Sequence, residues 1–350
     1  MVRRSFERLL LRPDDLAPSR EDFEVVGAFN PGAVAMGNEV VLLVRVAERP
    51  RERREGFTAL PRWSDASPVI DWVRDDELEL VDPRVVRRKA DGLIRLTFTS
   101  HLRVVHCGDG RSVTSVDGGR LTPQHEVEEY GVEDPRITRL GDRFYFTYVA
   151  VSRHGAATAL ASTADFKSFI RHGVIFCPEN KDVVLFPERI GGDYVVLHRP
   201  NGATPFTRPE MWLAQSPDLI HWGRQEPLAC GCADWDSGRV GAGAPPLRTA
   251  EGWLEIYHGN CRPVRVGEVG AYSGAALLLD IEHPGRVLRR SLDPVLVPTA
   301  DYERHGFVPD VVFPTGIVAR GDTILVYYGA ADTGTAVVEL GLRELLSTMR

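Results

Sequence analysis

The stretch EDPRITRLGDRFYFTYVAV, residues 133–151, reads as two apolar strands around a turn that contains Gly141. Ile, Phe, Tyr and Val alternate with polar residues, and the glycine stands where a hairpin turn asks for positive φ. The phrase returns as NPGAVAMGNEVVLLVRV from Asn30, DPRVVRRKADGLIRLTFTS from Asp82 and VVLFPERIGGDYVVLHRP from Val183. It appears twice more, as GAPPLRTAEGWLEIYHG from Gly243 and VFPTGIVARGDTILVYYGA from Val312. These six hairpins begin about 50 to 70 residues apart. Between them lie shorter strands with Ser- and Asp-capped turns, SVDGG (115–119), STADF (162–166) and SPDLIHW (216–222). Two hairpins per period make a four-stranded sheet, the blade of a β-propeller. The spacing predicts an all-β chain of five or six blades. Helix signals are few, the clearest being a short C-terminal helix in VVELGLRELLSTMR. No linker of Pro, Ser and Gly divides residues 1–350, which read as one domain.

The totals narrow the function. A chain that is 43% apolar and 26% charged is an ordinary globular protein, and its net charge of −7 argues against a nucleic-acid surface. No run of about 18 apolar residues predicts a membrane span, and the N-terminus MVRRSFERLLLRPDDLAP is not a secretory signal. The five cysteines are odd in number and irregularly spaced, and Cys230-Gly-Cys232 lacks partners at zinc spacing. They read as reduced thiols of a cytoplasmic protein with no metal.

In a propeller the innermost strands line a central channel, and ligands bind at one mouth. The hairpins open on FNPG, VDPR, VEDPR, NKDVVLFPE, GAGAPP and PDVVFPTG, where Pro, Gly and charged residues are odd choices for buried strands. The returning strands put Arg45, Arg199, His258 and Asp332 near the same end. The result is a ring of mixed charge around one axis. Into it runs EEYGVEDPRI, with Glu128, Glu129, Glu133 and Asp134 crowded into seven positions.

GVEDPRI, NKDVVLFPERIGGDYVVLHRP, SPDLIHWG, YHG and YYGAADT resemble the motifs of glycoside hydrolase family 130, the β-mannoside phosphorylases and related β-mannosidases. The resemblance runs from about residue 20 to the C-terminus. It implies a five-bladed β-propeller, with the sixth hairpin, from Asp82, an elaboration of the first blade or its neighbour. It implies that Asp134 is the proton donor in an inverting phosphorolysis of β-mannosides that yields α-mannose 1-phosphate. In that scheme the acid protonates the sugar 3-hydroxyl, which relays its proton to the glycosidic oxygen. Phosphate is the nucleophile, so no protein base is needed, unlike the two-carboxylate scheme of ordinary glycosidases.

The resemblance implies a phosphate site of Arg45, Lys181, Arg199, His258 and Tyr272, residue types suited to a dianion. It implies mannose-binding positions at Asn30 and Asp332, and Arg136 adjoins the acid. Arg51, in the basic loop ERPRERREG, is a further candidate to reach sugar or phosphate. Each has a structural alternative: Lys181 paired with Asp182 or Glu179, His258 as a satisfied wall residue, Tyr272 as core. Trp212, Trp222 and Trp235 either stack on acceptor sugars or belong to the core. A hydrolase of the same fold needs a base, for which Glu128, Glu129 and Glu188 are candidates. A propeller that binds glycans without chemistry is the reading from another class. The expected partners are a mannose-containing oligosaccharide and inorganic phosphate, with no cofactor; a homo-oligomer is compatible with the chain. Residues 49–63 and 106–125 are the segments expected to set the acceptor.

Overall fold

The computed structural model describes residues 2–82, 84–202, 206, 208–261 and 269–350. Among the described residues the chain is all-β apart from single 3-10 turns and two short helices, Asp301–Arg304 and Leu342–Ser347. Its strands fall into antiparallel groups of four that follow the chain. The first sheet contains Phe23–Met36, Glu39–Pro50, Thr99–Cys107 and Val113–Leu121. The second contains Gly131–Leu140, Arg143–Ser152, Gly155–Thr163 and Ile170–Phe176, and one parallel pair, Gly131 with Ser100, ties it to the first. The third runs Asn180–Leu185, Tyr194–Pro200, Met211–Ser216 and Gly223–Ala229. Arg239–Ala242, Trp253–Asn260, Tyr272–Leu279 and Val287–Arg290 make the fourth, with the short Leu247–Arg248 beside Trp253–Asn260. The fifth, Val312–Arg320, Thr323–Ala330 and Gly334–Gly341, is completed by Arg4–Leu11 from the other end of the chain.

Each sheet buries both faces, which explains apolar runs such as VVLLV (residues 40–44) where a half-buried strand would alternate. Val41 and Leu43 pack with Ile137 and Phe146 of the second sheet, while Val40, Leu42 and Val44 pack with Leu325 and Tyr327 of the fifth. Leu160 and Phe176 meet Val183 and Val196; Val184 and Leu197 meet Val240 and Trp253; Leu254 and Ile256 meet Val326 and Val338. Thus every sheet shares a core with the sheets before and after it, and the fifth with the first. At about 1.5–3 kcal/mol for each large apolar side chain removed from water, these layers hold the sheets together. Hydrogen bonds, at about 1 kcal/mol net, fix where the first strands meet. Thr315 donates to the Pro31 carbonyl at 2.8 Å and Thr138 to that of Leu185 at 2.9 Å.

The hairpin from Asp82 is not the start of a further sheet. It lies in an insertion between the second and third strands of the first sheet. That insertion holds a hairpin, Phe57–Ser64 with Ser67–Arg74, and a three-stranded sheet, Leu78–Asp82, Val85–Arg88 and Ile94–Leu96. Leu60, Leu78 and Val86 give it a small core of its own, which is why its sequence alternates like the others. Pro83 of that phrase lies outside the described residues.

The turns read at STADF and SPDLIHW are present, with Asp165 accepting from the N–H of Lys167 and Asp218 from that of Ile220. SVDGG is instead part of the strand Val113–Leu121, whose register slips between Val116 and Arg120. At the C-terminus VVELG completes a strand, and the helix covers only Leu342–Ser347. Among the described residues no helix is long and apolar enough to cross a membrane.

Candidate active site

Three first strands lose register at the same height, between Phe29 and Gly32, Glu133 and Arg136, and Lys181 and Val184. The extra residues include Asn30, Asp134 and Asp182, with φ of 50°, 48° and 54°. A bulge re-aims the side chain it carries, and Asn and Asp tolerate this left-handed backbone better than other non-glycine residues. Pro31 and Pro135 follow where the ladder is broken and no N–H is required, which accounts for the prolines in NPG and EDPR. The three sheets therefore each turn one amide or carboxylate into a shared space. In the fifth sheet Ala331 and Asp332 also have φ of 48°, just past the strand that ends at Ala330.

That space is a cavity of about 210 Å³ whose wall includes Asn30, Arg45, Asp134, Lys181, Arg199, Tyr272 and Asp332. Asp134 Oδ1 accepts from Asn30 Nδ2 at 2.9 Å and from Arg45 Nη1 at 3.0 Å. Gly329 has no side chain because a Cβ there would collide with Asn30 Oδ1. Arg45 also donates through Nη2 to Glu133 Oε1 at 2.6 Å, and its guanidinium lies 4.6 Å over the Phe29 ring. Burial opposes ionisation of Asp134, but Arg45, Arg136 and the Asn30 hydrogen bond overcome it and hold its carboxyl below the ordinary value. Glu133 goes the other way, raised by burial and by Asp134 against the pull of Arg45.

Asp182 anchors a second cluster. Its Oδ2 lies 2.7 Å from Arg199 Nη1 and 3.3 Å from His258 Nε2, and its Oδ1 3.5 Å from Arg136 Nη2. Burial raises its pKa, yet Arg199, His258 and Arg136 hold the carboxyl far below the ordinary range. Gly241 stands where any Cβ would strike Asp182 Oδ2 and the His258 ring. Burial keeps His258 below its usual pKa despite Asp182. Its Nε2 lies 3.2 Å from Arg199 Nη1 and 3.3 Å from Asp182 Oδ2. Lys181, cross-strand from Arg199, pairs with neither Asp182 nor Glu179: Asp182 faces Arg199, and Glu179 Oε1 accepts the Ala156 N–H at 3.0 Å.

The structure thus brings Asn30, Arg45, Asp134, Lys181, Arg199, Tyr272 and Asp332 to one cavity. Arg136 and His258 lie behind its wall. Arg136 is fully buried, donating to the Gly243 carbonyl at 2.7 Å and the Asp134 carbonyl at 2.6 Å. Arg51 is elsewhere: it is exposed and donates to the Phe23 carbonyl at 2.8 Å. Six residues beyond Arg45 along an extended chain, it is about 20 Å away. None of Trp212, Trp222 and Trp235 lines the cavity; Trp222, for one, stacks on Phe176 at 5.9 Å.

Sequence reasoning missed several wall residues, among them Asp182, Arg84, Glu133 and Arg239. Asp182 carries the same bulge as Asp134 but has no proline after it to mark it. Arg84 reaches Asp332 Oδ2 at 3.4 Å from the insertion, in a DPR that repeats the one at Asp134. Glu133 was seen only as part of an acidic cluster. Of the other acids in that cluster, Glu128 is held by Arg171 and Tyr148, and Glu129 by Arg153. Among the described residues no group of His, Cys, Asp and Glu is arranged to hold a metal.

A bulged acid facing an arginine, beside a lysine and a second arginine, suits a sugar that reacts with an anion. The profile of a family described as beta-1,4-mannooligosaccharide phosphorylase matches residues 106–350. This chain belongs to glycoside hydrolase family 130. It is 40% identical over 347 residues to the beta-1,2-mannobiose phosphorylase of Listeria innocua, covering 97% of this chain and 96% of that one. The solved structure of that enzyme with beta-1,2-mannobiose superposes with a TM-score of 0.90. A 1,2-beta-oligomannan phosphorylase of Thermoanaerobacter is 35% identical across 69% of this chain and 80% of its own. A beta-1,4-mannooligosaccharide phosphorylase of Ruminococcus albus is 38% identical across 59% and 62%.

Proposed function

We propose that this family 130 protein is an inverting β-mannoside phosphorylase with Asp134 as its acid, and that β-1,2-mannobiose is its preferred substrate. The observation that carries the reading is Asp134 beside Arg45 in a cavity that Lys181 and Arg199 also line. The linkage follows from the relative in Listeria innocua, which matches this chain nearly end to end. The five sheets, each sharing a core with the next and the last with the first, support one five-bladed propeller as the catalytic unit. A cytoplasmic setting accords with its free cysteines.

The chemistry follows from the placement. Asn30 and Asp332 grip the hydroxyls of the mannosyl unit to be transferred. Phosphate sits against Arg45, Lys181 and Arg199, with Tyr272 in the same cavity wall. A protonated Asp134 gives its proton to the sugar 3-hydroxyl, and that hydroxyl passes its own to the glycosidic oxygen. A phosphate oxygen forms the new bond at C1 from the other face while the C1–O bond breaks. The acceptor leaves with a hydroxyl, and Asp134 is left as carboxylate. In the phosphate-free site the arginines keep Asp134 ionised, so the arriving dianion has a second effect: it offsets those cations and favours the protonated acid. His258 and Arg136 act from behind, by fixing Arg199 and the Asp134 backbone, while Glu133, in the wall, fixes Arg45. The glutamates considered as a base for hydrolysis, Glu128, Glu129 and Glu188, are all engaged by arginines, Glu188 by Arg248 at 2.7 Å.

Incubation with β-1,2-, β-1,3- and β-1,4-mannobiose with and without phosphate tests the proposal. Mannose 1-phosphate from the β-1,2 isomer is expected. Free mannose released equally well without phosphate would reject it.

A further inference from the structure

We propose that Asp182 is the hydrogen-bond acceptor by which this site tells hydrogen phosphate from sulfate. The inference rests on the phosphorylase reading above and adds a specificity-determining residue to it. Asp182 lines the cavity next to Lys181 and Arg199, and its bulged backbone, with φ of 54°, turns it out of the sheet ladder. Its Oδ2 lies in ion-pair range of Arg199 at 2.7 Å and 3.3 Å from His258 Nε2, yet accepts no well-formed hydrogen bond. Its Oδ1 has a single contact, to Arg136 Nη2 at 3.5 Å, the outer limit of a hydrogen bond. That oxygen keeps lone pairs for another donor.

A pocket built on charge alone is weakened by a carboxylate in its wall, because the carboxylate repels every anion that enters. It serves an anion that carries a proton. Phosphate retains at least one proton throughout the physiological range, so a P–OH can donate to Asp182 while other oxygens accept from Lys181 and Arg199. Sulfate has nearly the same size and the same charge as hydrogen phosphate, yet offers only acceptors. Placed here it sets oxygen against oxygen, and the penalty falls on it alone. Sites that hydrogen-bond a hydroxyl reject analogues lacking it far more strongly than apolar pockets reject a missing methylene. Arsenate, protonated as phosphate is, should pass; selenate, unprotonated as sulfate is, should not.

Calorimetric titration of the full chain at pH 7 and constant ionic strength, with phosphate, arsenate, sulfate and selenate in turn, tests this without any need for turnover. We expect phosphate and arsenate to bind about 100-fold or more tightly than sulfate and selenate. Asp182→Asn, which turns an acceptor into a potential donor, should bring the sulfate-to-phosphate ratio to within about tenfold by strengthening sulfate. If Asp182 only neutralised Arg199, the variant would strengthen both anions alike and leave their ratio unchanged, and that result overturns the proposal. Wild-type protein that binds sulfate within tenfold of phosphate overturns it as well, even if the variant does not fold. The two readings separate cleanly. Mannose 1-phosphate formation with sulfate competing as strongly as phosphate sinks only the role of Asp182. Selective phosphate binding with no phosphorolysis sinks only the activity.

Discussion

Arg45 donates through Nη1 to Oδ1 of Asp134 at 3.0 Å, so the proposed acid of this site rests against a cation before any substrate arrives. The same guanidinium holds Glu133, and the pair of carboxylates is pushed apart in acidity, Asp134 down and Glu133 up.

Replacing the acid separates chemistry from binding. Asp134→Asn should lower kcat by about 10²–10⁴-fold or more, the usual worth of a positioned acid. Phosphate should bind at least as tightly as before, since a negative charge has left its pocket. Retention of most of the activity, read as mannose 1-phosphate formed per minute, would mean that another group donates the proton.

Phosphate binding should take up protons. Asp134 is held ionised by burial losing to Arg45 and Arg136, and an anion placed among those cations shifts the balance toward the neutral carboxyl. A group whose pKa rises on binding draws protons from solvent. Titration of phosphate near neutral pH in buffers of different ionisation enthalpy should therefore show net uptake, corrected for phosphate's own titration. Asp134→Asn should abolish the part of the uptake that Asp134 carries.

Lys181→Ala should act on one substrate only. A charge-assisted contact contributes about 1.5–3 kcal/mol, so the KM for phosphate should rise about 10- to 100-fold. The KM for the mannoside should stay within a few-fold of its original value. Equal loss for both substrates would show that Lys181 supports the shape of the wall instead.

Acid should destabilise the fold through His101. Neither ring nitrogen makes a hydrogen bond, Glu48 Oε2 standing 4.0 Å from Nδ1, and burial, aided by Arg120 and Arg103, lowers its pKa to about 3. The unfolded chain takes up this proton below about pH 6.5, whereas the folded chain does not until near pH 3. Stability should fall as pH drops through that window, by a few kcal/mol in order of magnitude near pH 4. Denaturant melts across pH 4–7 should show a shallower acid slope in His101→Leu than in the wild type.

Much of this was written in the sequence because prolines marked the bulges. Pro31 and Pro135 are incompatible with an unbroken inner strand, and each follows a residue that lines the cavity. Asp182 carries the same backbone but precedes Val183, so nothing flagged it. Depth was hidden for a different reason: alternation tells which face a side chain takes, not which neighbouring sheet covers it. Arg136 and His258 thus share the chemistry of wall residues while lying behind the wall. Arg84 comes from an insertion whose strands repeat the pattern of the main sheets, and Arg51 sits past the point where its strand has left the cavity. The sixth hairpin looked like a blade because a small satellite core asks for the same alternation as a large one.

The strand Arg4–Leu11 lies against Gly334–Gly341. A nascent chain therefore cannot finish its last sheet with what leaves the ribosome last; it must bring back a segment made at the start. Asn30 and Asp332, which line the same cavity, stand on the first sheet and just past a strand of the sheet that this return completes. Activity should then appear in one step after release from the ribosome, and a short amino-terminal deletion should leave a raw sheet edge prone to aggregation rather than a slower enzyme.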